Sequence, residues 1–522
     1  MQSYGGASSK EDGLRSSSVP PFSNPNVGGA TITQQKPFIS VPKQVMTIVK
    51  CFIGSGVLFL PKAFSNGGWL FSSISFVLCA ILTNVCISKL IECLSYMPPG
   101  SDYGHMGSRV AGRFGALAVD FSLVGSQAGF CCVYISFVAR NLIQLLNDNI
   151  VGNKGCWVSA DDLWLFILVE LFLLAPLTWV RRLSSFTTTN TIANGFIASG
   201  LLSILCYCIS SLATSSPRGG DLSSNLPAVG AHWPLMFGTA IYAFEGAGMV
   251  IPMFNELQPS QQVRFPVVFS STLAGVSLLY IVVGLVPYVY YKGYSTTSDC
   301  TAGNNDCVQD TITLNLPHIW WSYAVTFGYC IALVFSYPFM LFPAMEVIES
   351  AWLPSFLPSW GDEVGLPSLE RRSLHDQHDA RGSDGPSDSL PLLSVPPSSQ
   401  ALLDGGGGGR GVSVGASPPL SRLRTNLFRT LVCVLTLLIS YVGAPQLDNM
   451  VSLIGAFCCT PIAFIFPAWF HARLVCGDKA ERRGEKIADW IIVVMGGGIM
   501  CFSTGMAINS WKTSEFNPCI EG

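Results

Sequence analysis

The length of its apolar runs constrains this chain more than any other feature. Residues 72–91, 163–180, 267–289 and 430–443, with their flanks, can each cross a hydrocarbon core about 30 Å thick. In lipid every backbone polar group needs an internal partner, so such runs are helices. The pattern predicts an all-α polytopic membrane protein of about eleven spanning helices, taking roughly twenty residues each. Their expected spans are 43–65, 68–96, 114–147, 162–180, 186–213, 233–254, 266–291, 318–350, 424–445, 450–472 and 487–510. Composition agrees: 49% of the 522 residues are hydrophobic and 12% charged, too few charges to cover a soluble surface of this size. A net charge of −3 with no like-charge block excludes nucleic acid as a partner and leaves the lipid bilayer. Nothing in the sequence sets the oligomeric state.

The rest divides around these helices. Residues 1–42 are polar, rich in Ser, Gly and Pro, and read as a disordered cytosolic tail without a signal peptide. Helices one to eight occupy 43–350, and helices nine to eleven 424–510. A short non-cytosolic tail, 511–522, follows. Between the two helical blocks, 351–423 reads as a disordered cytosolic insertion, a passive linker or a regulatory segment. Its run Gly405–Gly409 lacks the Lys-Ser/Thr ending of a phosphate loop. Basic residues set the orientation. Arg181, Arg182, Arg264, Arg473, Arg482 and Arg483 fall on the side of the N-terminus, against Lys62, Lys154, Arg218, Lys292 and Lys512 opposite. By the positive-inside rule the N-terminus is cytosolic, and an odd helix count puts the C-terminus lumenal or extracellular.

Two of the expected helices are interrupted by glycine at mid-span. The first contains Ile53-Gly54-Ser55-Gly56, and the sixth contains Phe244-Glu245-Gly246-Ala247-Gly248. Glycine permits non-helical backbone that exposes carbonyls and amides. Small residues also serve helix packing, but two such segments five helices apart, one with a carboxylate, point to a substrate site at the midplane. Half-helix ends suit a zwitterion: amides for a carboxylate, carbonyls for an ammonium. Glu245 is expected to couple transport to protons or hold the substrate amine, or else to brace the break. Glu92, Asp120 and Glu170 read as polar interface residues. His105, His318 and His471 read as solvated or interfacial. Most of the 18 cysteines lie in apolar runs and act as small hydrophobes. No catalytic triad and no metal-binding spacing is legible, which argues against an enzyme and against a metal cofactor.

The string from Lys50 to Gly68, the segment Phe244-Glu245-Gly246 through Pro252, the stretch Thr313-Leu314-Asn315-Leu316-Pro317, and Ile454-Gly455-Ala456 with Pro461 and Phe466-Pro467-Ala468 together resemble the amino acid/auxin permease family. The resemblance spans about 40–350 and 425–510, nearest to vacuolar amino-acid exporters and animal proton-coupled amino-acid transporters. It implies a LeuT-like fold, a 5+5 inverted repeat plus one helix. It also implies a secondary active transporter of neutral amino acids in a vacuolar or lysosomal membrane, or in the plasma membrane. The coupling ion would be a proton or sodium. An amino-acid sensor signalling through the cytosolic segments is the alternative.

Carried over by residue, the resemblance implies substrate contacts from Ile53, Gly54, Ser55, Gly56, Phe244, Glu245 and Gly246. It also points to Tyr134 on helix three, otherwise a packed aromatic, and Ser336 on helix eight, otherwise bonded to its own helix. The proton-coupled relatives have a histidine where this chain has Thr47, so coupling through that residue does not carry over. Cys156, Cys300 and Cys307 fall on the non-cytosolic side, where disulfides form. Cys300–Cys307 is one pairing, and Cys156 with either of them another. The relatives join the corresponding two loops, but their second cysteine falls near Ile319 here.

Overall fold

The computed structural model describes residues 38–98, 100–151, 162–180, 187–214, 226–294, 308–349, 419–477 and 479–511. Cys156, Cys300 and Cys307, nearly all of the N-terminal tail, most of the insertion and nearly all of the C-terminal tail lie outside them. Among the described residues the structure is helical, with no strand.

Helix α1, Val41–Phe52, is followed by a 3₁₀ turn, Ser55–Phe59, and by α2, Leu60–Gly67. The two arms of this first span meet at a bend of 52°. Gly68, at φ +83°, turns the chain into α3, Trp69–Leu94. A side chain there would be strained, and its Cβ would lie 2.7 Å from the Pro227 carbonyl oxygen. Helix α4, Tyr103–Val151, is kinked at Ala111 and at Gly112, whose φ is +58°. That kink separates a short lead-in helix from the span expected to begin at 114. Then come α5 (Leu163–Thr178), α6 (Thr187–Thr214), α7 (Trp233–Ala243) and α8 (Ala247–Glu256). These are followed by α9 (Phe265–Val289) and α10 (Trp320–Val347). Helix α11, Pro419–Gly443, leads through a 3₁₀ turn into α12, Leu447–Ile454. The same span continues through π-helical turns at Gly455–Cys459, Pro461–Ile465 and His471–Cys476, with α13 (Phe466–Phe470) between the last two. Helix α14, Arg483–Ser510, closes the described chain.

Length and hydropathy alone qualify eight of these helices to cross a membrane, nine with the bent first span. The eleven expected runs are all helical. The tally differs because Leu163–Thr178 is short, and because 423–476 runs on with only the break at Gly443–Gln446.

Burial explains the layering. The interrupted pair Trp233–Glu256 is the most enclosed span, with 83% of its apolar window buried, whereas Arg483–Ser510 has 22%. The centre is therefore built around α7 and α8, with α14 on the periphery. Large apolar side chains such as Leu78, Phe172, Leu173, Val267 and Val494 point outward. So wide an apolar exterior fits hydrocarbon rather than water. Inside, Phe64 stacks on Phe76 at 5.5 Å, Phe76 meets Phe244, and Phe244 packs against Tyr280 at 5.1 Å. Gly238 on α7 and Gly455 let two spans touch backbone to backbone, since a Cβ on Gly455 would fall 1.9 Å from the Gly238 carbonyl oxygen.

Candidate functional site

Both glycine segments are real interruptions. At the first, Ile53 leaves helical geometry at φ −80°, ψ 89°, and Gly54 follows at φ −128°, ψ −145°. The Ile53 amide still bonds back to the Val49 carbonyl, and the Gly54 amide donates to the Phe52 carbonyl at 3.0 Å. At the second, Phe244 closes α7 by donating to the Ala240 carbonyl, and Gly246 precedes α8 at φ −162°, ψ −2°.

The two interruptions lie against each other. A Cβ on Gly56 would meet the Ala243 Cα at 3.0 Å, and one on Gly246 would meet the Phe52 ring at 2.9 Å. The absent side chains of Gly56 and Gly246 are what let the breaks approach. Gly54 differs: the nearest atom to its Cβ would be the Tyr134 hydroxyl, at 3.8 Å.

Polar contacts join the breaks to neighbouring helices. The Tyr280 hydroxyl, fully buried on α9, lies 2.6 Å from the Phe52 carbonyl oxygen and 3.0 Å from that of Ala243. These are the last carbonyls before the two breaks, and one phenolic proton serves both. Ser55 Oγ lies 3.0 Å from the Tyr242 hydroxyl, and the Tyr134 hydroxyl stands over Gly54. Tyr134 therefore faces the first break. Phe244 is buried in the aromatic cluster with Phe76 and Tyr280. Ser336 donates to the Ala332 carbonyl of its own helix at 2.8 Å, the backbone-bonded alternative considered for it.

Glu245 is 7% exposed. Its carboxylate lies beside the first turn of α8, with Oε1 3.9 Å from where a Cβ on Gly248 would stand. Its Oε1 has no hydrogen-bond partner, and among the described residues Glu245 forms no ion pair. Thr47 is exposed and bonds to its own helix at Lys43.

Other charged residues fall into place away from the breaks. Glu170 is 2% exposed on α5, and its Oε1 has no partner among the described residues. Asp120 sits beside Asp102 and His105, and His105 pairs with Asp102. The expectation for His471 is corrected. It is 1% exposed, not solvated, and bonds Asp489 at 2.6 Å and Glu92 at 3.2 Å. The tenth expected span ends in the π-helical turn His471–Cys476, which packs against α3 and α14.

At the opposite end of the molecule Arg140 meets Asp310 at 2.5 Å. Burial raises the Asp310 pKa, but Arg140 and Lys62 outweigh it and hold the carboxyl below its usual range. Nearby, Asn66 donates to Asp448 at 2.7 Å.

Sequence reasoning missed Tyr280. Its signal was a tyrosine deep in an apolar run, whose hydroxyl must find a partner when buried.

A helical membrane bundle with two abutting, interrupted spans at its centre defines the class: a polytopic helical membrane protein. The chain belongs to the family described as transmembrane amino acid transporter protein, whose model matches residues 38–509. It is 29% identical over 477 residues to vacuolar amino acid transporter 3 of Saccharomyces cerevisiae, covering 91% of this chain and 57% of that protein. It thus spans somewhat under three fifths of that relative's length. With amino acid transporter ANT1 of Arabidopsis thaliana it shares 26% identity, over 62% of this chain and 71% of that one. Among solved structures, MhsT in complex with L-phenylalanine matches with a TM-score of 0.43 and 12% identity, over 91% of this chain and all of that one.

Proposed function

We propose that this protein is a secondary active amino-acid transporter of a vacuolar or lysosomal membrane, with a LeuT-like inverted repeat. It binds a neutral amino acid between the two breaks and couples its movement to protons. The observation that carries the reading is the abutment of the breaks, with Gly56 against Ala243 and Tyr280 spanning both last carbonyls. The half-helix beginning at Ser55 directs its first amides toward the substrate carboxylate. The carbonyl end of α7 and Oε1 of Glu245 receive the ammonium. In this reading Glu245 changes its proton during the cycle, its Oε1 having no hydrogen-bond partner among the described residues. Vacuolar relatives support the compartment, and the basic residues flanking the spans support a cytosolic N-terminus.

The test is counterflow of labelled neutral amino acids into proteoliposomes, at two internal pH values. The expected result is saturable exchange, with net accumulation that follows an imposed proton gradient. Binding without counterflow would overturn the transport reading in favour of a sensor. Accumulation indifferent to the proton gradient would overturn the coupling alone.

A further inference from the structure

On the face from which α1 starts, the fold gathers side chains that lie far apart in sequence. His471 Nδ1 is 2.6 Å from Asp489 Oδ2, and Cys476 Sγ is 3.7 Å from that nitrogen and 3.8 Å from that oxygen. All three residues are buried, at 0–1% exposure. We propose that His471, Cys476 and Asp489 form a binding site for a zinc-class divalent cation.

The local backbone makes the site. In an α-helix, residues five apart point about 140° away from each other. His471–Cys476 is instead a π-helical turn, whose i to i+5 bonding brings its first and last residues to one side. Asp489 comes across from the first turns of α14.

The distances suit a tetrahedral ion. With metal–sulfur near 2.3 Å and metal–nitrogen near 2.0–2.1 Å, tetrahedral geometry puts sulfur about 3.6 Å from each of the other donors. The thiol already stands within about 0.2 Å of that spacing. Nitrogen and oxygen must part by about 0.7 Å, as the ion replaces the proton now between them. A mixed nitrogen, oxygen and sulfur set selects zinc-like ions over magnesium or calcium.

The surroundings are those of a ligated histidine. With the ion on Nδ1, Nε2–H donates to Glu92 at 3.2 Å, and Arg482 holds Glu92 at 2.6 Å. A carboxylate behind the second ring nitrogen fixes the tautomer of metal-bound histidines. Lys89 lies 2.7 Å from Asp489 Oδ1 and leaves Oδ2 for the ion. Glu92 and Arg482 are 40% and 34% exposed, so the ligands sit just beneath solvent. An ion here would tie the end of the tenth expected span to α14 and, through Glu92, to α3.

The experiment uses the full chain in lipid nanodiscs, loaded with Zn²⁺ alone or Co²⁺ alone and desalted. The expected result is one retained ion per chain and, with Co²⁺, a sulfur-to-metal charge-transfer band. Cys476→Ser should abolish the band, and Glu92→Gln should weaken Zn²⁺ binding about 10–100-fold. Failure of the wild-type protein to retain an ion, or a band that persists in Cys476→Ser, overturns the site. Because Cys476→Ser is nearly isosteric and the first readout needs no variant, misfolding does not obscure the answer.

Discussion

The first break, between Phe52 and Ser55, contains no charge and is shaped by close approach: Gly56 lies on Ala243, and Phe52 lies on Gly246. The second, between Ala243 and Ala247, carries the buried carboxylate of Glu245. The first therefore depends on shape, and the second on shape plus an ionisable group. Disturbing the first should alter substrate capture of every kind. Disturbing the second should separate binding from its driving force.

The largest effect is expected at Gly56. Leucine there must displace the Ala243 backbone, and overpacking of this kind costs about 1–3 kcal/mol or more. Gly56→Leu should lower uptake at least about tenfold at equal membrane abundance. Near-normal uptake would remove the basis for calling the first break a shape-determined site.

Glu245→Gln comes next and addresses the second break. Glutamine keeps the size and one carbonyl oxygen of Glu245 but cannot titrate. Gradient-driven accumulation should fall about tenfold, with a flattened pH profile and exchange retained, since general acid–base groups typically contribute factors of that order or more. An unchanged pH profile would make Glu245 a brace and nothing else.

Tyr280→Phe affects both breaks together. It removes the hydroxyl donor from the Ala243 carbonyl and from the Phe52 carbonyl, which keeps only the Gly54 amide, a loss of about 1–3 kcal/mol in stability, read as a lower unfolding temperature. If the breaks are coupled through this hydroxyl, its effect and that of Gly56→Leu will not add in a double-mutant cycle. Additivity would show the breaks to be independent.

A smaller effect, visible only with pH, belongs to the opposite end of the molecule. Because the Asp310 pKa is lowered on folding, its pairing with Arg140 stabilises fully above the unfolded value of about 4 and is lost as pH falls through the folded value. Thermal unfolding of wild type and Asp310→Asn should therefore differ most above about pH 5, and the difference should shrink as pH falls below about 4. A constant difference across that range would assign the effect to packing.

The smallest change is expected for Gly54→Ala, whose added methyl meets only the Tyr134 hydroxyl at 3.8 Å, so uptake should stay within about twofold. A tenfold loss would mean that Gly54 must reach backbone conformations in another state that alanine resists.

Much of this contrast was legible in the residues. Glycine pairs within otherwise apolar spans located both breaks, and a glutamate beside one of them stood out because carboxylates are costly there. The sequence did not separate Gly54 from Gly56, since which glycine is crowded depends on the packing of another helix. Tyr280 was invisible as a site residue because its partners are backbone atoms of two distant segments. The His471, Cys476 and Asp489 cluster escaped because a spacing of five is unhelpful on an α-helix and meaningful only on a π-turn. Ser336, a weaker candidate from its place on helix eight, makes the bond to its own helix that was its other reading, donating to Ala332.

The hydroxyl of Tyr280 ties the two interruptions to one atom. It lies within hydrogen-bond reach of both carbonyls, and the Phe52 carbonyl also accepts the Gly54 amide, so a displacement of either half-helix is felt at a group shared with the other. A natural lineage could not readily retune one half of the centre without disturbing the other, because both answer to the same atom.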